Sequence, residues 1–293
     1  MHEQASSVPT EVAVAPPEQA GAPEKPKRPR RREEIPAEEY DRDFYLSDHL
    51  EGFAEYRSGE LSYVKQKQLE MLELAEGVTF LEVGYGRGEL LLHAAMKKAR
   101  VWGVDYSPDA VLVARETLRR FPDADLRTAD SRRLPFPDDR FDRVFSGDVI
   151  EHMSYSDAVR SLAEMYRVVR PGGFVLVKTT PNTVFVRWVY PLAKHFFRRL
   201  DPASVRLMDE QLELMRRIHV DEYDYFKLRR AARLAGMPHA KVWIDPDIVR
   251  SNRHRYSDRF RESRLIQWAA ALGRFAPVRF FLGNDLYLLC RKP

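Results

Sequence analysis

The chain has 293 residues, of which 44% are hydrophobic and 31% charged, so it holds enough apolar side chains for a sizeable buried core. Its one cysteine, Cys290, excludes an internal disulfide and a cysteine-based metal cluster, and we expect it in the core. There is no run of about 18 apolar residues and no apolar segment near the beginning, so we expect neither a membrane-spanning helix nor a secretion signal. These features predict a cytoplasmic protein.

The net charge of +4 conceals an asymmetry along the chain. Residues 37–180 carry 20 Lys and Arg against 26 Asp and Glu, whereas residues 181–293 carry 22 against 12, a net charge of +10. A basic surface confined to the last third indicates an anionic partner for that part of the chain, such as phosphate, a sugar acid, an anionic membrane surface or RNA.

Residues 1–36 contain seven prolines, a cluster of Lys and Arg and no aromatic side chain. Such a composition cannot bury enough apolar surface to offset the entropy of ordering, so we predict a disordered tail. Residues 37–293 are predicted to form a single domain. Its cofactor-binding core is placed at 77–180, and insertions that cover the substrate are placed at 181–235 and 246–281.

Between residues 77 and 178, apolar strand-like runs alternate with segments of helical periodicity. Ser107 before Pro108 is typical of a helix start, and we predict that Ser156 and Asp224 cap later helices. Alternating strands and helices require a parallel sheet with crossover helices, which predicts a doubly wound α/β fold. The predicted strands are Val78–Val83, Val101–Asp105, Leu126–Asp130, Phe141–Ser146, Phe174–Lys178, Lys241–Ile244 and Asp285–Arg291.

The first predicted strand runs through Glu82 into three glycines, Gly84, Gly86 and Gly88. A turn of this kind brings backbone N–H groups close to a ligand. A dinucleotide site would show the spacing Gly-x-Gly-x-x-Gly, whereas here it is Gly-x-Gly-x-Gly. The carboxylate of Glu82 would repel a pyrophosphate but suits a cation. The pattern therefore predicts a site for an adenosine that carries a sulfonium and an ammonium group.

Other predicted strand ends fall on the same edge of the sheet, where ligands of such folds bind. Asp105 can accept hydrogen bonds from two ribose hydroxyls, and Tyr106 can lie against the adenine ring. Asp130 can accept a hydrogen bond from the adenine amino group. Ser146 ends the fourth strand. With Gly84, these three strand ends give four placements on one edge, which are harder to obtain by chance than one glycine motif.

In this order, the motifs resemble the class I S-adenosylmethionine-dependent methyltransferases, in the small-molecule branch (type 11) typified by quinone-biosynthesis enzymes. The resemblance covers about Val78 to Lys178, the helix at 219–236 and the last strand. It implies a seven-stranded, mostly parallel Rossmann-like sheet with helical lid insertions, and S-adenosylmethionine as the cofactor. The motifs are Glu82–Gly88, Asp105–Ser107, Thr128–Asp130 with Leu134–Phe136, Phe145–His152 and Val168–Gly173.

The resemblance also implies roles for single residues. The three glycines approach the methionine part of the cofactor, and Glu82 contacts its ammonium group. Asp105 takes the ribose, Tyr106 packs on adenine, and Asp130 reads the adenine edge together with the backbone of Ser131. Ser146 lies beside the methyl group that is transferred.

Tyr85 and Arg87 depart from the pattern because both are larger than the residues that the family usually has there. Each side chain either points away from the ligand or lines the pocket and alters it.

The expected reaction is an in-line displacement in which an acceptor O, N or C atom attacks the sulfonium methyl group. An acceptor that loses a proton needs a base, and His152, next to the predicted methyl site, is our candidate, with a packing or hydrogen-bonding role as the alternative. We expect a structural role for His219. The pair Glu151 and His152 lacks a third ligand, so we predict no metal site.

We expect the acceptor to be a small molecule, a glycan or a lipid-linked compound, enclosed by the aromatic-rich segments Tyr40–Tyr63, Pro181–His219 and Pro246–Phe281. The segments around Trp188 and Trp268 combine cations with aromatic residues. We interpret these segments as an amphipathic lid packed on the core, with peripheral contact to a membrane as the alternative.

Other functions stay open on the sequence alone. The basic last third would suit an RNA or protein methyltransferase, but there is no recognisable RNA-binding module, so a nucleic-acid partner is not favoured. A non-catalytic cofactor-binding protein is a further alternative, and an NAD-dependent enzyme ranks lower because of Glu82 and the glycine spacing. The sequence does not indicate an oligomeric state.

Overall fold

The computed structural model describes residues 34–47, 50–245 and 271–293. Within these residues the strands form a seven-stranded sheet of order β3-β2-β1-β4-β5-β7-β6. Strands β1 to β5 pair in parallel, and β7 is antiparallel to both β5 and β6. The predicted doubly wound, mostly parallel fold is confirmed. The strands are β1 Thr79–Val83, β2 Arg100–Asp105, β3 Asp125–Thr128, β4 Phe141–Gly147, β5 Val169–Thr179, β6 Lys241–Ile244 and β7 Leu286–Arg291.

Helices cover both faces of the sheet, and three of those in the described residues precede the first strand in the chain. Short 3₁₀ turns lie at Ala37–Glu39 and Ile150–His152, and a π-helical turn lies at Phe185–Val189. The α-helices in the described residues are α1 Arg42–Tyr45, α2 Phe53–Ser58, α3 Tyr63–Met71, α4 Glu89–Met96, α5 Pro108–Thr117, α6 Tyr155–Val168, α7 Tyr190–Leu200, α8 Pro202–Ile218, α9 Tyr225–Leu234 and α10 Ala276–Leu282. Among the residues described, we find no helix with both the length and the apolar character needed to cross a bilayer.

The predicted helix starts are mostly confirmed. The Ser107 side chain accepts a hydrogen bond from the backbone N–H of Asp109, and Asp224 accepts one from Lys227. The cap predicted at Ser156 is wrong, because α6 begins two residues earlier, where Ser154 accepts from the N–H of Asp157.

Two hydrophobic clusters lie on the two faces of the sheet, as the alternation along β5 illustrates. Val175 and Val177 face the cluster that includes side chains of α6 and α9, whereas Phe174 and Leu176 face the cluster with α4 and α5. This two-residue period buries both faces of the strand, as expected for a parallel sheet covered by helices. Cys290 is buried in the first cluster, as predicted.

Two predicted boundaries need correction. Strand β3 ends at Thr128, so Asp130 lies in the following loop and not at the end of a strand. The end of the predicted tail is also ordered, because Ile35 is 2% exposed and Glu34 forms a backbone bridge with Met153. Ile35 is thus buried although it belongs to no helix or strand, and the composition of the tail does not reveal this. Residues 1–33 lie outside the described part, as do Trp268 and most of the second predicted insertion.

Candidate active site

A cavity of about 310 Å³ lies at the carboxyl edge of β1, β2 and β4. Parallel strands bring residues that are far apart in sequence to this edge, since Val83 pairs with both Val104 and Ser146. Most of the predicted site residues come together there. Those that line the cavity are Glu82, Gly84, Gly86, Asp105, Tyr106, Asp130, Ser131 and His152.

The glycine turn is closely packed at its first position. Gly84 has a φ of +78°, and a Cβ atom there would lie 2.2 Å from Cγ2 of Val149. Gly86 has a φ of +52°, and its N–H donates to Asp105 Oδ2 at 2.9 Å. Glycine is therefore required by conformation at both positions and by close approach at Gly84.

Two residues predicted to bind the cofactor lie outside the cavity lining. Gly88 is the N-cap of α4, and a Cβ there would meet Leu118 Cδ1 at 2.8 Å, so this glycine serves helix packing. Ser146 is 1% exposed and its Oγ has no hydrogen-bond partner in the described structure. Its neighbours Phe145 and Gly147 line the cavity, because successive side chains of a strand point to opposite faces.

Glu82 presents a buried carboxylate to the cavity. The residue is 6% exposed, and its Oε2 atom has no hydrogen-bond partner among the described residues. Burial raises the pKa of this carboxyl well above its usual range, and the positive charge of Lys65 offsets part of the increase. A ligand that brought an ammonium group to Oε2 would satisfy this atom and return the carboxyl to its charged form.

Asp105 is held rigidly at the end of β2. Its Oδ1 accepts from the N–H of Ser107 at 3.0 Å and from the hydroxyl of Tyr45 at 3.4 Å, while Oδ2 accepts from Gly86. Burial raises the pKa of Asp105, and the backbone hydrogen bonds counteract this. Asp105 lines the cavity, where its carboxylate is positioned to accept a hydrogen bond from a ligand hydroxyl.

The predicted adenine-binding residues lie at a more open part of the cavity. The Asp130 side chain is 41% exposed and pairs with Arg132, which also reaches Glu34 and Asp157. Burial alone would raise the pKa of Asp130, but the hydrogen bonds from Arg132 outweigh it and lower the pKa. Tyr106 is 41% exposed, so one ring face is accessible to a flat ligand.

The side chain of Tyr85 packs against the neighbouring strand, although the residue is among those that line the cavity. It is 4% exposed and packs over Gly103 on β2, where an added Cβ would lie 2.5 Å from Tyr85 Cδ1 and 2.8 Å from Leu91 Cδ1. The large residue in the turn is thus accommodated by a missing side chain on the neighbouring strand.

We expect Gly103→Ala to destabilise the protein by about 1–3 kcal/mol, because the new methyl group overpacks this contact. Urea unfolding should show the loss, and adding Tyr85→Leu should recover part of it, since the smaller side chain vacates the space. Additive effects of the two substitutions would contradict this packing.

Arg87 is also among the residues that line the cavity, and its side chain extends toward the segments 34–47 and 50–58, which we name the N-terminal cover. The guanidinium donates to the carbonyl of Glu51 at 2.7 Å, to the carbonyl of Tyr45 at 3.2 Å and to Glu89 Oε1 at 3.1 Å. It also lies over the ring of Tyr56, 5.1 Å from its centroid. Arg87 therefore fastens the cover to the glycine turn.

The cover contacts the site at further points. The carbonyl of Tyr40 accepts from Ser107 Oγ at 2.7 Å, and the hydroxyl of Tyr40 lies 3.0 Å from His152 Nδ1. With the bond from Tyr45 to Asp105, the cover contacts both the residue predicted to take the ribose and the predicted base. The sequence indicated a lid at Tyr40–Tyr63 but not these partners.

His152 has a defined protonation state in this setting. Its Nδ1 lies 2.8 Å from the carbonyl oxygen of Ile218, which can only accept a hydrogen bond, so we assign the proton to Nδ1. Burial, followed by the nearby His219 ring, lowers the pKa of His152 to about 4. The imidazole is therefore neutral near pH 7, with the Nε2 lone pair available to accept a proton.

Glu151 and His219 complete a polar group around His152. Glu151 is fully buried and accepts from Thr179 Oγ1 at 2.9 Å and from the N–H of Thr180 at 3.3 Å. Burial, together with the charge of Asp148, raises its pKa well above the usual range. One polar atom each of Glu151, His152 and His219 lies within 4.8 Å of the others. The structure thus adds a third side chain to the pair that the sequence suggested, and the absence of a metal stays a prediction.

Comparisons with known proteins agree with this geometry. A methyltransferase domain family matches residues 81–177. The ubiquinone/menaquinone biosynthesis C-methyltransferase UbiE of Desulfotalea psychrophila is 33% identical over 133 residues, which are 44% of this chain and 51% of that protein. The UbiE protein of Bordetella avium is 32% identical over 183 residues, 52% of this chain and 67% of that protein.

Among solved structures, a methyltransferase of Haloferax volcanii in complex with the Trm112 methyltransferase activator has a TM-score of 0.55 and 22% identity. The alignment covers 86% of this chain and 97% of that one, and it shows a shared fold.

The fold is a Rossmann-like α/β domain with a cavity at the carboxyl edge of its sheet. The chain belongs to the class I S-adenosylmethionine-dependent methyltransferases, and S-adenosylmethionine is its cofactor. The match spans about half the length of the Desulfotalea relative, 51% of it.

Proposed function

We propose that the chain transfers the methyl group of S-adenosylmethionine to a ring carbon of a small, hydroxylated aromatic acceptor of the quinol type. Carbon methylation is the activity printed in the names of the two UbiE relatives. The observation that carries the proposal is a neutral imidazole, His152, in the same cavity as the carboxylates Glu82 and Asp105.

The cofactor fits one half of this cavity. In our proposal Glu82 receives the ammonium group on its unpartnered oxygen, Gly84 lets the methionine part approach the turn, and Asp105 accepts from a ribose hydroxyl. Tyr106 and Asp130 face the adenine. When bound, the cofactor supplies an electrophilic methyl group on a sulfonium.

The other half of the cavity suits an apolar ring. Its wall includes Leu214, Met215 and Ile218 of α8, and the carbonyl of Ile218 contacts His152. A ring hydroxyl placed against Nε2 of His152 would donate a hydrogen bond to that atom and pass its proton to it as the new C–C bond forms. The electron density pushed into the ring would make the carbon next to the hydroxyl nucleophilic toward the methyl group, and the electron pair of the broken C–S bond would leave on sulfur. The methylated ring carbon would then lose its hydrogen as a proton, and the ring oxygen would recover a proton from His152, which restores the aromatic ring.

The proposal is tested by supplying S-adenosylmethionine with a ¹³C-labelled methyl group, together with a naphthoquinol, a catechol or a glycan. We expect the label on a ring carbon of the naphthoquinol, seen by NMR as a C–CH₃ signal distinct from O–CH₃. A label on oxygen or on the glycan would contradict the proposed acceptor. No transfer to any acceptor by a protein that binds the cofactor would contradict the activity.

The pH dependence tests the role of His152. Because its pKa is lowered to about 4, we expect kcat/KM to fall only when the pH approaches that value, and not near the usual histidine pKa of about 6.5. Replacing His219 with asparagine should raise the pKa of His152, since the neighbouring ring is one cause of its depression. NMR titration of the imidazole measures this shift directly.

The lowered pKa of His152 also makes the stability of the fold depend on pH. Neutral His152 stabilises the folded state above pH of about 6.5, and this contribution is lost as the pH falls toward 4. Folding must therefore be monitored by circular dichroism across the profile. Unchanged turnover and an unchanged profile in His152→Gln would rule out the histidine as the base.

A further inference from the structure

The segment from the π-helical turn into α7 exposes three large apolar side chains. Trp188 is 71% exposed, Leu192 81% and Phe196 56%. Their spacing of four residues places them along one face of the helix. We name these three residues the α7 apolar stripe. Single exposed apolar residues are ordinary, but a row of three on one helix face indicates a contact surface.

Positive charge surrounds the stripe. Residues 181–200 contain three arginines and one lysine and no aspartate or glutamate. Arg187, Arg198 and Arg199 are exposed, whereas Lys194 pairs with Asp209 on α8. An apolar stripe flanked by arginines is typical of a helix that lies in the plane of an anionic bilayer.

The opposite side of α7 packs against α8. Tyr190 is 9% exposed, packs with Met208, Leu212 and Met215 of α8, and donates from its hydroxyl to Asp209. The stripe therefore cannot turn inward without breaking this cluster. Its exposure is a consequence of how α7 is packed.

The apolar surface continues onto neighbouring elements. Helix α10 packs against the π-helical turn that holds Trp188 and exposes Phe281, which is 51% accessible. Phe226 at the start of α9 is 67% exposed and lies edge-on to Phe280 of α10, with the ring centroids 5.9 Å apart. Three separate elements thus contribute exposed aromatic rings to this side of the molecule.

We propose that α7 and the turn before it dock the protein reversibly on an anionic bilayer, with the stripe in the interface and the three arginines at the headgroups. A second copy of the chain is a poor occupant, because a symmetric pairing of the stripes would bring two arginine clusters together. An anionic surface instead complements them, and each arginine near the membrane should increase the affinity roughly fivefold.

Docking at this place has a consequence for the cavity. Helix α8, which follows α7 after Asp201, contributes Leu214, Met215 and Ile218 to the cavity wall. A membrane contact through α7 would thus set the acceptor side of the wall close to the bilayer. The docking itself does not depend on the proposed methyl transfer.

The experiment uses the full chain and vesicles of phosphatidylcholine with and without phosphatidylglycerol, with co-sedimentation as the readout. We expect binding to the anionic vesicles only. Trp188→Ser, Leu192→Ser and Phe196→Ser combined should weaken it roughly tenfold or more, since these side chains leave water on docking. The exposed apolar pair Met96→Ser with Leu112→Ser, on α4 and α5, is the matched control and should leave binding unchanged.

A charge series separates the two contributions. Replacing Arg187, Arg198 and Arg199 with glutamine should remove the dependence on phosphatidylglycerol, whereas glutamine at the exposed Arg119 and Arg120 should not. Brominated lipids should quench tryptophan fluorescence in the parent chain and less in Trp188→Phe.

Several outcomes would overturn the proposal. Wild-type vesicle binding by the stripe variant is one, and loss of binding only when the basic cluster at 25–32 is neutralised is another. A stripe variant that changes the sedimentation coefficient but not vesicle binding would assign the surface to a second copy. Binding of a single-stranded RNA, but of no vesicle, through the three arginines would assign it to nucleic acid.

Discussion

Asp105→Asn is expected to lower the affinity for S-adenosylmethionine by about 100-fold while leaving the protein folded. Hydrogen bonds to a charged group contribute about 1.5–3 kcal/mol each, and the substitution affects more than one of them. It removes an acceptor for the ribose, and it places an amide NH₂ against a backbone N–H of Gly86 or Ser107. Isothermal titration with the cofactor measures the loss.

The fold should tolerate this change because burial raises the pKa of Asp105. A raised pKa means that the folded state disfavours the charge, so the carboxylate is held there at a cost to stability near neutral pH. Removing the charge relieves that cost and offsets the lost backbone hydrogen bonds. We expect the unfolding midpoint to change little.

Asp125→Asn is the matched control. Asp125 begins β3 and pairs with Arg127 outside the cavity, so its substitution should leave cofactor affinity within about twofold, as for other surface ion pairs. If Asp105→Asn bound S-adenosylmethionine as well as the control did, the cofactor would not lie on the edge of β2.

The order of strands and helices was predictable because buried parallel strands leave continuous apolar runs, and helices leave caps such as Ser107 and Asp224. The helices between Pro181 and Ile218 were harder. Residues 181–200 mix exposed aromatics with cations, so the apolar period does not mark the buried face. The sequence predicts a helix at Leu207–Ile218, whereas α8 begins five residues earlier, at Pro202. The signal for that start is Asp201 before Pro202, an N-cap followed by proline at the first helical position.

The site was predictable where backbone geometry determines it. Gly84, Asp105 and Glu82 reach the cavity because strand ends of a parallel sheet share one edge. The face to which a single side chain points was not predictable. For Ser146 it depends on the pleat of β4, and for Tyr85 it depends on packing over Gly103. The contacts of the N-terminal cover join residues about 40 to 110 positions apart and leave no local pattern.

Arg87→Ala is expected to destabilise the protein by about 3–5 kcal/mol and to release the N-terminal cover, because removing one partner of a buried ion pair leaves the other charge uncompensated. The guanidinium is 1% exposed. Its loss removes the hydrogen bonds that it donates to the carbonyls of Tyr45 and Glu51. It also removes one of the two cations that pair with Glu89, and Lys65 is the other. Urea unfolding measures the stability, and hydrogen exchange of residues 42–58 measures the release.

Arg87→Lys keeps the charge and should fold better than Arg87→Ala, but an ammonium group cannot donate to three acceptors in the same fork or stack on Tyr56. We therefore expect faster amide hydrogen exchange in the cover of this variant, while its free energy of unfolding stays nearly normal. Arg127→Ala, which removes an exposed ion pair with Asp125, is the matched control and should cost less than about 1 kcal/mol.

The two Arg87 variants also show whether the cover acts on cofactor binding or on the acceptor side of the cavity. Because Tyr45 donates to Asp105 and packs 3.5 Å from the position of a Cβ on Gly86, a loosened cover should raise KM for S-adenosylmethionine more than it lowers kcat. If Arg87→Lys instead lowered kcat alone, the cover would act on the acceptor side, through Tyr40 and His152. Cofactor affinity and exchange rates that match those of Arg127→Ala would show that the cover is held by its apolar contacts and not by Arg87.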